Sequence, residues 1–141
     1  YPSMTPDTQD KLVRRLQNKI ATAVEKITLT EEEGLDDADV VVISYGITSR
    51  VAQKAIEMAR AKGLKVGKLR LITAWPFPDF KIQALAPKVK AFVVPELNLG
   101  QMAREVRRAA DGVAKTIPVK HAGGNVHRPE QILQAIEEAL R

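Results

Sequence analysis

The chain contains no cysteine. Disulfides, a thiolate nucleophile and the commonest structural zinc sites are therefore excluded. Histidine is scarce: His121 and His127 fall six apart in one stretch with no carboxylate between them, a poor pair of metal ligands. Aromatic residues make up only 4% of the chain, so the core has to be built from Val, Ile, Leu and Ala, which suits helices packed on a parallel sheet. No apolar run approaches the roughly 20 residues of a membrane-spanning helix, and no secretory leader is recognisable. Acidic residues are outnumbered, 17 against 22 Lys and Arg, for a net charge of +5. The excess is dispersed along the chain without interleaved aromatics, the pattern of a solvated basic surface rather than a nucleic-acid footprint. An initiator Met is also missing, and Tyr1-Pro2-Ser3 is read as the interior of a longer protein.

What is present is a regular alternation of two periodicities. A length of 141 residues suits one domain with a real core. Thr5 and Pro6 are an N-cap and first helical residue, and Leu12, Leu16, Ile20, Ala23, Val24 and Ile27 recur at helical spacing opposite a basic face. That helix either packs on its own domain or links to, and docks on, the rest of a larger subunit. Ile27–Thr30 is read as a short edge strand, followed by a polar turn at Glu31-Glu32-Glu33-Gly34.

Four strand–helix repeats follow. Val40–Ser44 is a continuous apolar run of the kind buried on both faces. Its helix runs from about Arg50 to Lys62, with Thr48 or Ser49 as the cap. Val66–Ile72, Ala91–Val94 and Lys115–Lys120 are further strands, with helices at Asp79–Leu85, Leu99–Asp111 and from Pro129 onward. Pro118 removes a ladder donor and assigns the last strand to a sheet edge. Arg128 stands where a capping Ser or Thr is expected, predicting a looser entry to the final helix. Helical connections force parallel pairing with right-handed crossovers. The expectation is an α/β fold, a three-layer α/β/α sandwich around a mostly parallel sheet of four to five strands, with Val40–Ser44 central. Residues 1–30 are taken as a linker helix with the possible edge strand, and 31–141 as the α/β domain.

Three turns carry the functional candidates, each following a strand that runs in the same direction. Tyr45-Gly46-Ile47-Thr48-Ser49-Arg50 offers hydroxyls and amides at a helix start. It has neither the glycine pattern of a dinucleotide site nor a P-loop lysine, so it is a strand exit and cap, a contact for a phosphate or carboxylate, or a partner contact. Ala74-Trp75-Pro76-Phe77-Pro78 gathers two large rings and two prolines, either to anchor an interface or to cover the end of the core. Glu96-Leu97-Asn98-Leu99-Gly100-Gln101 offers Asn98 as an N-cap, Gly100 as a point of close backbone approach, and a lone carboxylate, Glu96. One Glu without a second acid, His or metal ligand is weak for acid–base work and suits a helix N-terminal charge. No Ser–His–Asp set, zinc spacing or EF-hand occurs.

Taken together, the Tyr45–Arg50 turn, Leu69-Arg70-Leu71, Trp75–Pro78, Val94–Gln101, and Gly123-Gly124 ahead of Pro129-Glu130-Gln131-Ile132 give the sequence its identity. In these residues it resembles the C-terminal domain of the α subunit of 2-oxoacid:ferredoxin oxidoreductases, most closely the 2-oxoglutarate type, over about Asp7–Leu140. The resemblance implies a transketolase C-terminal-domain-like fold in a cytoplasmic complex. That complex oxidises a 2-oxoacid with coenzyme A, releases carbon dioxide and reduces ferredoxin. It implies thiamine diphosphate, magnesium and iron–sulfur clusters in the complex but none in this chain, which lacks the thiolates for a cluster. Its implied partners are a thiamine-binding β subunit, the remainder of the α subunit and, through the complex, ferredoxin; a second copy of the chain is a further candidate, nucleic acid and membrane are not. Thr48, Ser49, Arg50, Trp75, Phe77, Glu96, Asn98, Gly100 and Gln101 are the expected partner surface, with Trp75 and Phe77 as apolar anchors. The alternatives are the C-terminal domain of a 2-oxoacid dehydrogenase E1β or transketolase-like enzyme, and a module that binds a small anion at Thr48, Ser49 and Arg50.

Overall fold

The computed structural model describes residues 4–141; Tyr1-Pro2-Ser3 lie outside the described residues. Helices α1 (Pro6–Ala21) and α2 (Val24–Ile27) lead into strand β1 (Thr30–Glu33). Then come β2 (Val40–Tyr45), α3 (Thr48–Ala61), β3 (Val66–Leu71), α4 (Asp79–Leu85), β4 (Ala91–Glu96), α5 (Gln101–Ala110), β5 (Lys115–Lys120) and α6 (Pro129–Ala139). The strands form one five-stranded sheet in the order β1-β3-β2-β4-β5. β2, β3, β4 and β5 are mutually parallel, and β1 joins β3 antiparallel.

The alternation along each strand separates two cores. Val41, Ile43, Leu69, Leu71, Phe92 and Val94 pack with Phe77, Ile82 and Val106 on the face covered by α4 and α5. Val40, Val42, Val66 and Val93 pack on the other face with Ala52, Ala55 and Ile56 of α3 and Ile132 and Ile136 of α6. Because both faces are covered, β2 and β4 read as unbroken apolar runs. β2 lies at the centre and the Pro118 strand at an edge, as the sequence predicts.

The edge strand sits three positions later than its apolar residues suggest. Ile27 ends α2, and the pairing begins at Thr30↔Leu71 and runs to Glu33↔Lys68, so the glutamates expected in a turn are strand. Intrinsic propensity disfavours Glu in strands, but cross-strand charge pairs set this register. Glu31 and Glu33 meet Lys68, Glu31 also meets Arg70, and Glu32 meets Lys81. Arg60 of α3 ties the following loop down through Val66 and Gly34 carbonyls at 2.7 and 2.9 Å and Asp37 at 2.9 Å.

The entry to α6 is closed rather than loose: Gln131 accepts the Arg128 backbone N–H on its side chain at 2.8 Å and returns its own N–H to the Arg128 carbonyl. α1 starts at the expected cap, Thr5 accepting from the Thr8 N–H, yet none of its residues is buried. Leu12, Leu16 and Ile20 form an exposed apolar stripe instead of packing on the domain.

The pairing of β2 with β4 is short. It ends at Val42↔Val93, whereas β4 stays paired with β5 as far as Glu96↔Lys120. The sheet therefore opens between β2 and β4 toward the C-terminal ends of its parallel strands. This is also where the chain, having added β3 on one side of β2, crosses to add β4 on the other, the switch point of an open α/β sheet.

Candidate functional site

All three candidate turns leave the sheet at this edge. Tyr45 reaches across the opening, and its hydroxyl accepts a 2.9 Å hydrogen bond from the Asn98 side-chain amide. Beside it a cleft of about 420 Å³ is lined by Tyr45, Ala74, Trp75, Gln101, Met102 and Glu105, so each turn contributes to one concave surface. Burial pushes the Tyr45 phenol above its usual range; the Glu96 charge adds to this and the Asn98 amide opposes it.

The start of α5 is fully committed to its own chain. Asn98 Oδ1 accepts the N–H groups of Gly100 and Gln101 at 2.8 and 2.9 Å. The carboxylate of Glu96, completely buried, accepts those of Met102 and Ala103 at 2.8 and 2.9 Å. Two side chains thus satisfy the amides that a helix leaves open at its start and place a negative charge at the positive end of its dipole. Gly100 turns into the helix at φ 102°, a conformation that glycine adopts without strain.

The expected partner surface divides accordingly. Arg50, Trp75 and Gln101 are exposed and Asn98 is half-buried. Thr48, Ser49, Phe77, Glu96 and Gly100 are buried. Phe77 corrects the expectation of two exposed anchors: it is only 4% exposed and belongs to the core beneath α4 and α5, while Trp75 is 75% exposed. The two rings are separated by Pro76, the Trp75–Pro76 peptide being cis, and point to opposite environments. Thr48 does not cap α3 as expected; its hydroxyl donates to the Tyr45 carbonyl at 2.6 Å, and no side chain caps that helix.

Sequence reasoning missed the aliphatic part of this edge. Ile47, Ile72 and Leu99, each just past the end of a strand, are exposed large hydrophobics like Trp75. Leu29 is exposed too and lies alongside, its carbonyl accepting the N–H groups of Ile72 and Thr73. The signal that would have found them is an apolar residue in a turn, where polar residues normally stand. Clustered exposure of this kind marks interaction surfaces.

Behind the Tyr45–Arg50 turn lies a second, polar cavity of about 390 Å³, lined by Gly46, Ser49, Arg50, Gln53, Lys68 and Arg70. The two histidines do meet, with ring centroids 5.6 Å apart, and His127 Nε2 bonds the Val119 carbonyl at 2.9 Å. No group of three or more His, Cys, Asp or Glu converges as a metal site among the described residues. Nor does any helix among them have the length and apolarity to cross a membrane.

The family model of the pyruvate:ferredoxin oxidoreductase core domain II matches residues 38–132. The chain belongs to this family. Among its relatives, a 2-oxoglutarate synthase subunit KorA of Methanocaldococcus jannaschii is 46% identical over 136 residues, 96% of this chain and 36% of the relative. A ketoisovalerate oxidoreductase subunit VorB of Methanothermobacter thermautotrophicus is 42% identical over 123 residues, 87% of this chain and 35% of the relative. The core domain II chain thus spans about a third of the length of the curated relatives it matches. A solved 2-oxoglutarate:ferredoxin oxidoreductase from Magnetococcus marinus, with 2-oxoglutarate, coenzyme A and succinyl-CoA bound, superposes with a TM-score of 0.87 at 30% identity, over 99% of this chain and 24% of that one. A split-gene transketolase, described as an inactive β4 tetramer, shares the fold at a TM-score of 0.67 and 18% identity, over 78% of this chain and 41% of that one.

Proposed function

We propose that this chain is the core domain II portion of the α subunit of a cytoplasmic 2-oxoacid:ferredoxin oxidoreductase of the 2-oxoglutarate type. The parent complex would oxidatively decarboxylate its 2-oxoacid to the acyl-CoA and pass the electrons to ferredoxin. The domain's own part is assembly: the strand-exit edge faces the thiamine-binding β subunit, and the apolar stripe of α1 docks on the remainder of the α subunit. The observation that carries this reading is the set of exposed apolar side chains just past the strand ends, Ile47, Ile72, Trp75 and Leu99, on the edge where a cleft lined by Trp75 is shared by all three turns. Relatives named for 2-oxoglutarate and for ketoisovalerate resemble the domain almost equally, at 46% and 42% identity, which supports placing the choice of 2-oxoacid elsewhere in the complex.

Thiamine diphosphate supplies the carbon chemistry in such complexes. The residues at the switch point do not fit it. Of the two helix starts there, that of α5 already has its amides bound to Asn98 and Glu96, and at that of α3 the Ser49 and Arg50 amides are taken by the Gly46 and Ile47 carbonyls, so neither offers the free backbone cradle a diphosphate needs. No acidic cluster for magnesium converges among the described residues. Thiamine diphosphate, magnesium and the iron–sulfur clusters are therefore assigned to other parts of the complex, and no catalytic step is assigned to this domain.

The test separates the two rings of the Trp75–Phe77 turn. Trp75→Ala combined with Leu99→Ala is expected to leave the melting temperature of the isolated chain nearly unchanged while strongly reducing co-purification with the β subunit and the rest of the α subunit. Phe77→Ala is expected to lower domain stability by about 3–5 kcal/mol, as removal of a buried ring does. Normal assembly of the Trp75/Leu99 variant would overturn the reading.

A further inference from the structure

The polar cavity beside α3 shares no lining residue with the cleft among the three turns. Its floor is Lys68 and Arg70 of β3, which point to the α3 side of the sheet with Val66; Ser49, Arg50 and Gln53 of α3 form a wall, and Gly46 the rim. Ser49 is only 5% exposed, and its hydroxyl has no hydrogen-bond partner. Gln53 Oε1 and Arg70 Nε are likewise buried and unpartnered. So is the hydroxyl of Ser44, the register neighbour of Arg70 on β2. Unpaired buried polar groups are costly, and several around one cavity indicate a shared partner.

The charges are unequally committed. Glu31 engages Lys68 and the Nη1 of Arg70, and Glu33 lies 3.8 Å from Lys68, so the β1 side of the floor is neutralised by its own carboxylates. Arg50, by contrast, is exposed and has no acidic partner among the described residues. The first turn of α3 contains no acidic residue, and no side chain caps it. The Ser49 and Arg50 N–H groups at this start meet only the Gly46 and Ile47 carbonyls, so no anionic group faces the positive end of the dipole beside Arg50 and the Ser49 hydroxyl. This is the reverse of α5, whose start is filled by a carboxylate.

The geometry points to a binding site for a phosphate monoester, its phosphate held by Ser49, Arg50 and Arg70 Nε at the start of α3. Donors dominate the cavity, as an anion with several acceptor oxygens requires. Gln53 Oε1, buried and able only to accept, suits a hydroxyl: that of hydrogen phosphate, or a neighbouring hydroxyl of a phosphorylated polyol. A cavity of about 390 Å³ has room for more than the phosphate group, within the range of small-molecule sites.

The site is tested on the 141-residue chain at constant ionic strength, by thermal shift and phosphorus NMR, with inorganic phosphate, glucose 6-phosphate, and glucose as the uncharged control. Glucose 6-phosphate is expected to raise the melting temperature saturably and to broaden its phosphorus resonance, inorganic phosphate to do so more weakly, and glucose not at all. Equal binding of the two phosphates would overturn the monoester and leave free phosphate as the ligand. Arg50→Gln is expected to weaken binding about tenfold or more, the loss of a charge-assisted contact. Ser49→Ala is expected to do the same while leaving the ligand-free melting temperature unchanged or higher, because the hydroxyl it removes is unpaired; a purely structural serine would lower it. Absence of saturable binding below roughly 10 mM, beyond which affinity is weaker than most specific sites, or undiminished binding by both variants, would overturn the site.

Discussion

Asn98 and Tyr45 join two elements that are far apart in the chain: the Asn98 amide donates to the Tyr45 hydroxyl at 2.9 Å while its oxygen holds the start of α5. One side chain thus fixes the exit of β2 against the entry of α5 across the open mouth of the sheet. Tyr45→Phe is expected to lower stability by about 0.5–1.5 kcal/mol, and Asn98→Ala by about 1–2 kcal/mol because a cap is lost as well. Urea denaturation of the single and double variants should show coupling, whereas strictly additive losses would disprove the link. The pH dependence has a definite sign. The folded phenol is held above its ordinary value, so above about pH 10 the unfolded chain ionises first. Stability should fall there as pH rises, and less steeply in Tyr45→Phe.

Glu96 is the single carboxylate whose removal should most damage the fold. It is completely buried and receives the Met102 and Ala103 amides. Glu96→Ala is expected to destabilise by about 2–4 kcal/mol, combining two charge-assisted bonds with the helix dipole. Glu96→Gln, which retains one good acceptor but turns a donor toward the amides, should fall between wild type and Ala. Denaturant midpoints measured at neutral pH decide it; a Gln variant as weak as Ala would mean that the acceptor oxygens do not matter individually.

His127 should make the domain sensitive to mild acid. Burial pushes its imidazole below the usual histidine range, assisted by neighbouring His121 and opposed by the bond to the Val119 carbonyl. As pH falls through about 6.5 the unfolded chain takes up the proton before the folded one does. Stability is thus full above that pH and declines below it. His127→Gln, which preserves a donor for Val119, is expected to flatten melting temperature between about pH 7 and pH 5. An unchanged slope in this variant would assign the acid sensitivity elsewhere.

The fold was legible because both core faces are written in aliphatic residues at clear spacing. Val40–Ser44 announced a strand buried on both faces, and Pro118 announced an edge. β1 was misplaced because its register depends on Lys68, Arg70 and Lys81, residues distant in sequence whose charges make glutamates acceptable in a strand. The turns at the strand exits were legible as a group, but not the direction of each side chain. Trp75 and Phe77 carry the same signal in sequence; only the packing of α4 and α5 beneath the turn sends one inward. The cavity of Ser49, Arg50, Lys68 and Arg70 joins a helix to a neighbouring strand, so no local motif could contain it.

The early parting of β2 and β4 has a consequence for Pro95. Within β4 the Glu96 carbonyl accepts from His121, so Glu96 turns its backbone toward β5 and its neighbour Pro95 turns toward β2. The last β2 pairing is at Val93, one such position earlier. Pro95 therefore occupies a strand with neighbours on both sides without interrupting a ladder on either. A ring that cannot donate stands where no donor is wanted, and the same vacancy that tolerates it keeps the sheet from zipping shut beneath Tyr45. The mouth of the domain is thus held open by composition as well as by topology.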